Sequence, residues 1–312
     1  SGDPDDDGFD NAAEYAAGTD PDDAASRPVL LVDIDAPDGA DGRTWATAFN
    51  DLQDALAAAG PGQEIWVAEG TYKPTETTDR TVSFGLKADL ALYGGFAGTE
   101  TERDHRDWTA HPTVLSGDID TQSDNSDNSY HVVVTADGAI LDGFTVRDAR
   151  ANGGDPSDDG AGVLNANTDG FILRNCVLTA NTATGSGGGL HHYYSQNPVV
   201  ENCVFVQNIA DWLGGGIACN HTQNAIVDNT VFAGNTNSHQ GGAYDNHWTS
   251  TVFTNCTFAD NSAPAGAGIY SNHETSHEWS DLTLRNCILW GNTSGQVIGE
   301  HIPATVTTSL VQ

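Results

Sequence analysis

Basic residues are scarce in this sequence of 312 amino acids. Lys and Arg together number 11, whereas Asp and Glu number 44, so the formal net charge is −33. Nucleic acids and anionic membrane surfaces attract proteins with positive patches. The charge therefore argues against both classes of partner.

Methionine is absent, and no apolar run approaches the roughly 20 residues of a membrane-spanning helix. The chain starts at Ser1 without a signal peptide, so we expect a processed piece of a longer polypeptide. Lysine is limited to Lys73 and Lys87. An acidic protein with so few cations is suited to surroundings rich in salt or calcium, which screen its self-repulsion. We therefore predict an extracellular or cell-surface location.

From about residue 139 the sequence repeats itself. Each repeat has an Asn, a large apolar residue three positions later and a second Asn three positions after that. Most repeats also contain a Gly-rich tetrapeptide, such as Gly214-Gly215-Gly216-Ile217. The first Asn residues are spaced 27, 27, 26 and 31 positions apart, and they are Asn175, Asn202, Asn229, Asn255 and Asn286.

A repeat of this length, with short strands between turn residues, predicts one turn of a parallel β-helix. Stacking such turns about 4.8 Å apart places identical side chains over one another. The Cys after the first Asn lies two positions before the large apolar residue, so we assign both to the interior. The Asn residues fit bends, where Asn adopts left-handed backbone angles and can bond along the stack.

One short amphipathic helix precedes the repeats. Trp45, Phe49, Leu52 and Leu56 recur at helical spacing and predict a helix over about residues 46–59. Such a helix would cap the open end of the core, whose strand edges otherwise invite aggregation. The predicted fold class is therefore all-β, a parallel β-helix solenoid with a short N-terminal capping α-helix.

Two stretches resemble known families. The segment WATAFNDLQDALAAAGPGQEIWVAEGTY, residues 45–72, resembles the cap and first turn of pectate-lyase-like right-handed β-helix proteins. The alternation of FxxN with GG[AG][ILVY] resembles the repeats of the polymorphic outer-membrane protein family. These resemblances imply a right-handed, single-stranded parallel β-helix over residues 28–312, with clear repeats at 139–312. They do not define a function, because the fold carries lyases, hydrolases, adhesins and autotransporter passengers.

The first 27 residues form a separate acidic segment that predicts a calcium site. The pattern fits an EF-hand-like loop, D-x-[DN]-x-[DN]-G-x₅-E. Its ligands would be Asp3, Asp5, Asp7, the carbonyl of Phe9 and Glu14. The tail after Glu14 resembles thrombospondin-type-3-like and dockerin-like calcium repeats. The loop departs from a full EF-hand because no helix leads into Asp3, and the alternative is a solvated acidic linker.

A second acidic stretch follows Ser116. It contains Asp118, Asp120, Asp124 and Asp127 in a loop between two predicted strands. Such loops can bind calcium, but Asp and Asn also favour turns without a ligand. The turn is the favoured interpretation, with calcium as the weaker alternative.

Asn-His pairs recur in three repeats and predict a column of imidazoles. Counting eleven positions back from Phe205, Phe232 and Phe258 gives Tyr194, His221 and His247, and the pair Asn272-His273 adds His273 to that column. With nearby Asp245, Glu274 and Glu278, these His residues are weak candidates for catalysis or for a zinc or copper ion. The alternative is a stacked ladder without a ligand, which repetition alone produces.

Aromatic residues cluster on the same side of the predicted turns, and they are Tyr193, Tyr194, Trp248 and Trp279. Exposed aromatic faces beside polar groups are typical of sugar-binding grooves. We therefore predict carbohydrate binding by these four residues, and buried packing against turns is the alternative.

Catalysis is the second hypothesis. A lyase acting on an acidic polymer needs a cation and a base. The basic residues beyond position 139 are four arginines outside the His column, so this activity is disfavoured. A hydrolase needs two carboxylates, and Asp211, Asp245, Glu274 and Glu278 are available.

The five Cys residues are predicted to be free thiols. Four of them occupy one ladder position and therefore behave as small core residues, Cys176, Cys203, Cys256 and Cys287. Ladder geometry rarely suits a disulfide.

The leading hypothesis is an extracellular, calcium-stabilised β-helical module that serves adhesion, assembly or carbohydrate binding. Its partners would be a polysaccharide, another surface protein or copies of itself. The alternatives are a carbohydrate-active enzyme, either a polysaccharide lyase or a glycoside hydrolase, and a subunit of an extracellular filament.

Overall fold

The structure is a computed structural model. It describes residues 28–39, 41–121, 124–272, 281–300 and 305–312, together with residues 2, 4, 11, 19 and 22. The predicted calcium loop, with Asp3, Asp5, Asp7, Phe9 and Glu14, lies outside the described residues. In the part of the chain that is described, no helix is both long and apolar enough to cross a membrane.

The chain winds into a parallel β-solenoid of about eight turns, as predicted. Each full turn places one strand in each of three long sheets, and every strand pairing is parallel. We name each sheet by the number of strands that it has within the described residues. The ten-stranded sheet contains Leu30–Val32, Glu64–Ala68, Ala91–Phe96, Ile140–Asp142, Ile172–Arg174, Val199–Glu201, Ala225–Asp228, Thr251–Thr254, Leu282–Arg285 and Thr305–Thr307.

The next sheet along each turn is the nine-stranded sheet. It contains Gly70–Tyr72, Thr113–Ser116, Phe144–Arg147, Val177–Thr179, Val204–Val206, Val231–Ala233, Thr257–Ala259, Ile288–Trp290 and Leu310–Val311. A four-stranded sheet of short strands follows it, with Arg150–Ala151, Thr182–Ala183, Ile209–Ala210 and Thr236–Asn237.

The eight-stranded sheet closes each turn and positions the candidate site. It contains Phe84–Gly85, Val133–Val134, Val163–Ala166, Leu190–Tyr193, Ile217–Asn220, Tyr244–His247, Ile269–Asn272 and Val297–Glu300. Loops from the four-stranded sheet lead into these strands, so they flank the outer face of the eight-stranded sheet.

Similar apolar side chains stack on one another in the interior. Phe205, Phe232 and Phe258 are fully buried, and their ring centroids lie 5.1 and 4.8 Å apart along the stack. All five Cys are buried and free, which confirms the predicted thiols. Thr230 takes the ladder position of a Cys, and its hydroxyl accepts a hydrogen bond from the Cys203 amide at 3.3 Å. The alternation of side chains along a strand therefore predicted correctly that these residues face the interior.

Two Asn ladders run along the solenoid, and they differ in burial. The first Asn of each repeat is at a bend with φ between 47° and 57°, on the surface or close to it. The second is buried, and its side-chain amide bonds to the side-chain oxygen of the next Asn in the ladder. This buried ladder consists of Asn181, Asn208, Asn235, Asn261 and Asn292.

The Gly-rich tetrapeptides allow adjacent turns to approach closely. A Cβ on Gly215 would lie 2.4 Å from the Thr236 carbonyl oxygen and 2.5 Å from the Gly242 carbonyl oxygen. Both distances are shorter than van der Waals contact allows, so only glycine fits at this position. The repeated glycines are therefore a packing requirement of the stack.

The capping helix is shorter than the predicted 46–59, because it spans Leu52–Ala58 and only a 3₁₀ turn, Trp45–Thr47, precedes it. The intervening backbone is extended, since Phe49 pairs with Leu31 and Asp33 of the first turn. Asp51 caps the helix by accepting a hydrogen bond from the Gln53 amide at 2.8 Å. The apolar face of the helix belongs to the main core, so the helix closes its N-terminal end.

Candidate ligand-binding groove

Two columns of side chains line the outer face of the eight-stranded sheet. Strand register defines the first column as Leu164, His191, Ala218, Asp245 and Tyr270. It defines the second as Ala166, Tyr193, Asn220, His247 and Asn272. Core residues such as Leu190 alternate with them along each strand and point inward. Both columns point away from the core, but the first column is buried, so the second column supplies the partly or fully exposed groups of this face.

A cavity of about 440 Å³ lies on this face, and we call it the acidic cavity. Three successive turns contribute to it through their strands and through the loops that precede them. Its lining includes Asp155, Asp158 and Asp159 from one loop, Ser186 from the next, and Trp212 from a third. His191, Tyr193 and Asn220 line it from the sheet. The volume is within the range of sites that bind small molecules.

His191 lies at the buried side of the acidic cavity. The residue is 2% exposed, and neither ring nitrogen has a hydrogen-bond partner among the described residues. Nδ1 is 3.6 Å from Oδ2 of Asp159, which is longer than a hydrogen bond. Burial lowers the pKa of His191 to about 4, although the Asp158 carboxylate opposes this shift. The imidazole is therefore neutral at pH 7.

The carboxyl groups of Asp158 and Asp159 face the same cavity. Burial raises the pKa of both, and the neighbouring Asp159 raises that of Asp158 further. Oδ1 of Asp159 accepts a hydrogen bond from the Ser186 amide at 2.5 Å. Oδ1 of Asp158 is buried and has no hydrogen-bond partner in the described structure. The cavity therefore contains an acceptor without a partner and two carboxyl groups whose pKa values are raised.

Asp245 and His247 form a second polar pair two turns further along. Asp245 is fully buried, and its Oδ1 lies 3.7 Å from Nδ1 of His247. Burial raises the pKa of Asp245 to about 6. Ala218 separates Asp245 from His191 in the first column, so the two pairs lie on one face without touching.

The predicted column of Tyr194, His221, His247 and His273 is wrong in its third member. The strand register pairs His247 with Asn220, and the position after Asn220, His221, stacks instead on Trp248. The turn from Trp248 to Thr251 is one residue shorter than the turn from His221 to Ala225. Counting back from the repeated Phe crosses this turn and therefore slips by one residue.

The column at this bend is aromatic rather than purely imidazole. Tyr194 and His221 stack with ring centroids 4.3 Å apart, and His221 and Trp248 are 4.5 Å apart. All three have φ near 50°, so they mark the bend from the eight-stranded to the ten-stranded sheet. The remaining residues predicted for this face lie outside the described residues: His273, Glu274, Glu278 and Trp279.

The predicted aromatic cluster is only partly on one surface. Tyr193 is 39% exposed and lines the acidic cavity, whereas Tyr194 is 49% exposed at the neighbouring bend. Trp212 is 57% exposed and also lines the cavity, in the loop before Ile217–Asn220. Its ring stacks on His239 of the next turn at 5.0 Å. Tyr193 and Trp212 are therefore the aromatic residues that the cavity exposes.

The second acidic loop has the hydrogen bonds of a turn. Asp127 accepts from the Thr121 amide at 3.0 Å, and Asp124 accepts from the Ser126 amide at 2.9 Å. Asp120 is exposed at the start of the loop, and Asp118 is half-buried. Among the described residues, no three His, Cys, Asp or Glu side chains are arranged to hold a metal ion. Calcium binding at either acidic segment stays a prediction.

Arginines cluster on a different face, where carboxylates neutralise them. Arg106 and Asp142 are both buried and form an ion pair of 2.7 Å on the outer side of the ten-stranded sheet. Arg103 pairs with Glu64 at 2.8 Å. The described lining of the acidic cavity contains neither Lys nor Arg. In the described lining, the carboxylates of the acidic cavity therefore lack the basic side chains that balance Glu64 and Asp142.

Sequence reasoning missed the residues at the centre of the cavity, His191, Asp158 and Asp159. The loop that carries the two Asp residues lies between turns and does not repeat, so repeat analysis passed over it. The dipeptide His191-His192 follows a Gly-rich tetrapeptide, and strand alternation implies that one of the two points outward. That signal was available in the sequence.

The comparison with protein families agrees with this architecture. Residues 130–307, more than half of the chain, match the family described as the right-handed β-helix region. The chain belongs to this family, which confirms the predicted handedness and fold. The resemblance to polymorphic outer-membrane protein repeats stays a prediction.

Solved structures with similar backbones include three proteins. Pectate lyase Pel9A has 12% identity over 88% of this chain and 79% of its own, with a TM-score of 0.49. A pectin methylesterase from Aspergillus niger has 14% identity, coverage of 90% and 85%, and a TM-score of 0.42. A rhamnogalacturonan lyase has 13% identity, coverage of 91% and 68%, and a TM-score of 0.46. No curated protein sequence matches the chain.

Proposed function

We propose that the protein binds carbohydrate in the acidic cavity and along the outer face of the eight-stranded sheet. The observation that carries this proposal is the pairing of two exposed aromatic rings, Tyr193 and Trp212, with a cavity lined by polar side chains. Aromatic rings stack on the C–H faces of sugars, while polar groups bond to the hydroxyls.

The repetition of the scaffold also suits a polymer. Turns of a parallel solenoid recur about every 4.8 Å, so a chain lying along the axis meets related groups at regular intervals. Asn220 and His247 continue the column of Tyr193 beyond the cavity. A polysaccharide lying along the axis would therefore meet side chains from at least three turns.

The test measures binding of a panel of soluble oligosaccharides by isothermal titration calorimetry. Tyr193→Ala and Trp212→Ala are each expected to weaken the affinity about tenfold, the effect of losing one stacking contact. The matched control is Trp290→Ala, because Trp290 is 50% exposed on the nine-stranded sheet, away from the cavity. Equal losses in all three variants, or no binding by the unmodified protein, would contradict the proposal.

Hydrolysis is the second candidate function, and one observation favours it. His191 and Asp159 lie 3.6 Å apart, and their environments shift their pKa values in opposite directions. Such pairs are common at catalytic sites. In a hydrolysis, the base would take a proton from water as it attacks the anomeric carbon, and an acid would protonate the departing oxygen.

Reducing-end release from the same oligosaccharides distinguishes turnover from binding. Activity that His191→Ala abolishes would establish hydrolysis. The control is His105→Ala, since the His105 side chain is 62% exposed on a different part of the solenoid. Binding without release of reducing ends would identify the protein as a binding module.

The remaining predictions belong to the same proposal. An acidic module that binds polysaccharide fits an extracellular or surface location, with the N-terminal loop stabilised by calcium. Adhesion to another surface protein, and assembly with copies of the same chain, stay predictions that binding experiments on the full chain would address.

A further inference from the structure

The acidic cavity is specialised for hydrogen-bond donors. Oδ1 of Asp158 is buried without a partner in the described structure, and Oδ2 of Asp159 lies 3.6 Å from Nδ1 of His191. If Nδ1 of His191 carries its proton toward Asp159, then Nε2 becomes a third acceptor. A buried polar group that lacks a partner destabilises the fold. A bound ligand with several donors would remove this destabilisation.

The charge of the cavity restricts the class of ligand further. Asp155, Asp158 and Asp159 line it, and the described lining residues include no Lys or Arg to balance them. The whole chain has a formal charge of −33, which adds a long-range attraction for cations. A polyuronate would bring further carboxylates to this site and would be repelled. A neutral sugar would leave the repulsion between the carboxylates unrelieved.

From these observations we infer that the acidic cavity recognises an amino sugar through its ammonium group. This inference deepens the proposed function and rests on it. The ammonium group has three N–H donors, and the cavity is lined by acceptors for them, the carboxylates of Asp158 and Asp159 and the imidazole of His191. The sugar ring then stacks on Tyr193 or Trp212, where an adjacent cation also attracts the aromatic face.

An organic cation fits these acceptor groups of the cavity better than a metal ion does. His, Asp and Glu side chains in the described part of the chain form no group of three that could hold a metal. Hydrogen bonds to an ammonium group tolerate the spread of acceptors that a compact metal ion does not. The exposed aromatic walls also have no role in binding a bare ion.

The test compares three ligands with the unmodified protein by calorimetry at fixed salt. The first is a β-1,4-linked glucosamine trisaccharide, the second is its fully N-acetylated form, and the third is spermidine. Spermidine carries a similar charge without a sugar ring. We expect one-site binding of the glucosamine trisaccharide that is at least about tenfold tighter than either of the other two.

Variants then locate the site. Asp158→Asn removes one carboxylate and is expected to abolish most of the preference for the free amine. The control is Asp260→Asn, which removes the same charge at an exposed bend of the nine-stranded sheet where φ is 55°. Asn tolerates this backbone conformation, so the control should fold normally and bind like the parent.

Each outcome has a defined meaning. Equal affinity for the free and the N-acetylated trisaccharide overturns the inference but leaves carbohydrate binding in place. Spermidine binding as tightly as the glucosamine trisaccharide overturns it too, because charge alone would then suffice. Failure of every oligosaccharide to bind contradicts the inference together with the proposed function. The ligand comparison needs no variant, so it holds even if Asp158→Asn does not fold.

Discussion

The buried Asn ladder makes a quantitative prediction about stability, which Asn235→Ala tests. The side chain of Asn235 takes part in four hydrogen bonds. Its amide donates to the Phe205 carbonyl at 2.9 Å and to Oδ1 of Asn261 at 3.0 Å. Its Oδ1 accepts from the backbone and side-chain amides of Asn208, both at 3.1 Å. All of these groups are buried, so water cannot replace the lost partners.

The expected loss follows from these contacts. At about 1 kcal/mol for each buried hydrogen bond, Asn235→Ala should lower the free energy of unfolding by about 4 kcal/mol. The matched control is Asn229→Gly in the same turn. Asn229 is exposed, its side-chain amide donates to Oδ1 of Asn202 at 2.9 Å, and its φ of 47° suits glycine. We expect this control to change stability by less than about 1 kcal/mol.

Urea unfolding followed by circular dichroism measures both free energies. Hydrogen exchange at the Asn208 backbone amide gives a local readout, since this group loses its acceptor in Asn235→Ala and keeps it in the control. Similar unfolding free energies for the two variants would refute the argument that the buried ladder stabilises the stack. Unchanged protection of the Asn208 amide would refute the assigned hydrogen bond.

Two further predictions concern packing and pH. Gly215→Ala should prevent folding or lower the free energy of unfolding by several kcal/mol, because the new Cβ would lie 2.4 Å from the Thr236 carbonyl oxygen. The control Gly234→Ala has space for a Cβ and should cost only about 1–2 kcal/mol of backbone strain. Equal melting temperatures for the two variants would contradict this prediction. Burial, followed by the neighbouring His191, lowers the pKa of His192 to about 3. The unfolded chain therefore gains a proton at His192 below about pH 6.5 that the folded chain does not bind, so the contribution of His192 to stability should fall as the pH drops from 6.5 toward 3, by several kcal/mol. His192→Asn should flatten this dependence in urea titrations at pH 7 and pH 4, and an unchanged slope would contradict it.

Local periodicity was enough to predict the solenoid and its interior. The repeated Asn, Cys and Phe recur at nearly constant spacing, and alternate residues of a strand face opposite sides. Cys203 and Phe205 therefore had to share the core, as they do. The left-handed angles of the exposed Asn residues followed equally from the chemistry of Asn at bends. These features depend only on neighbours within one turn.

The candidate site depended on information that no single turn contains. His191 is buried because the loop carrying Asp158 and Asp159 folds over it from the preceding turn, and that loop does not repeat. The error over His247 arose from one residue missing between Trp248 and Thr251. Spacing along the chain predicts which residues face inward, because the strand period is local. Which outward residues meet depends on how each turn sits on the next, and only the stacked structure determines that.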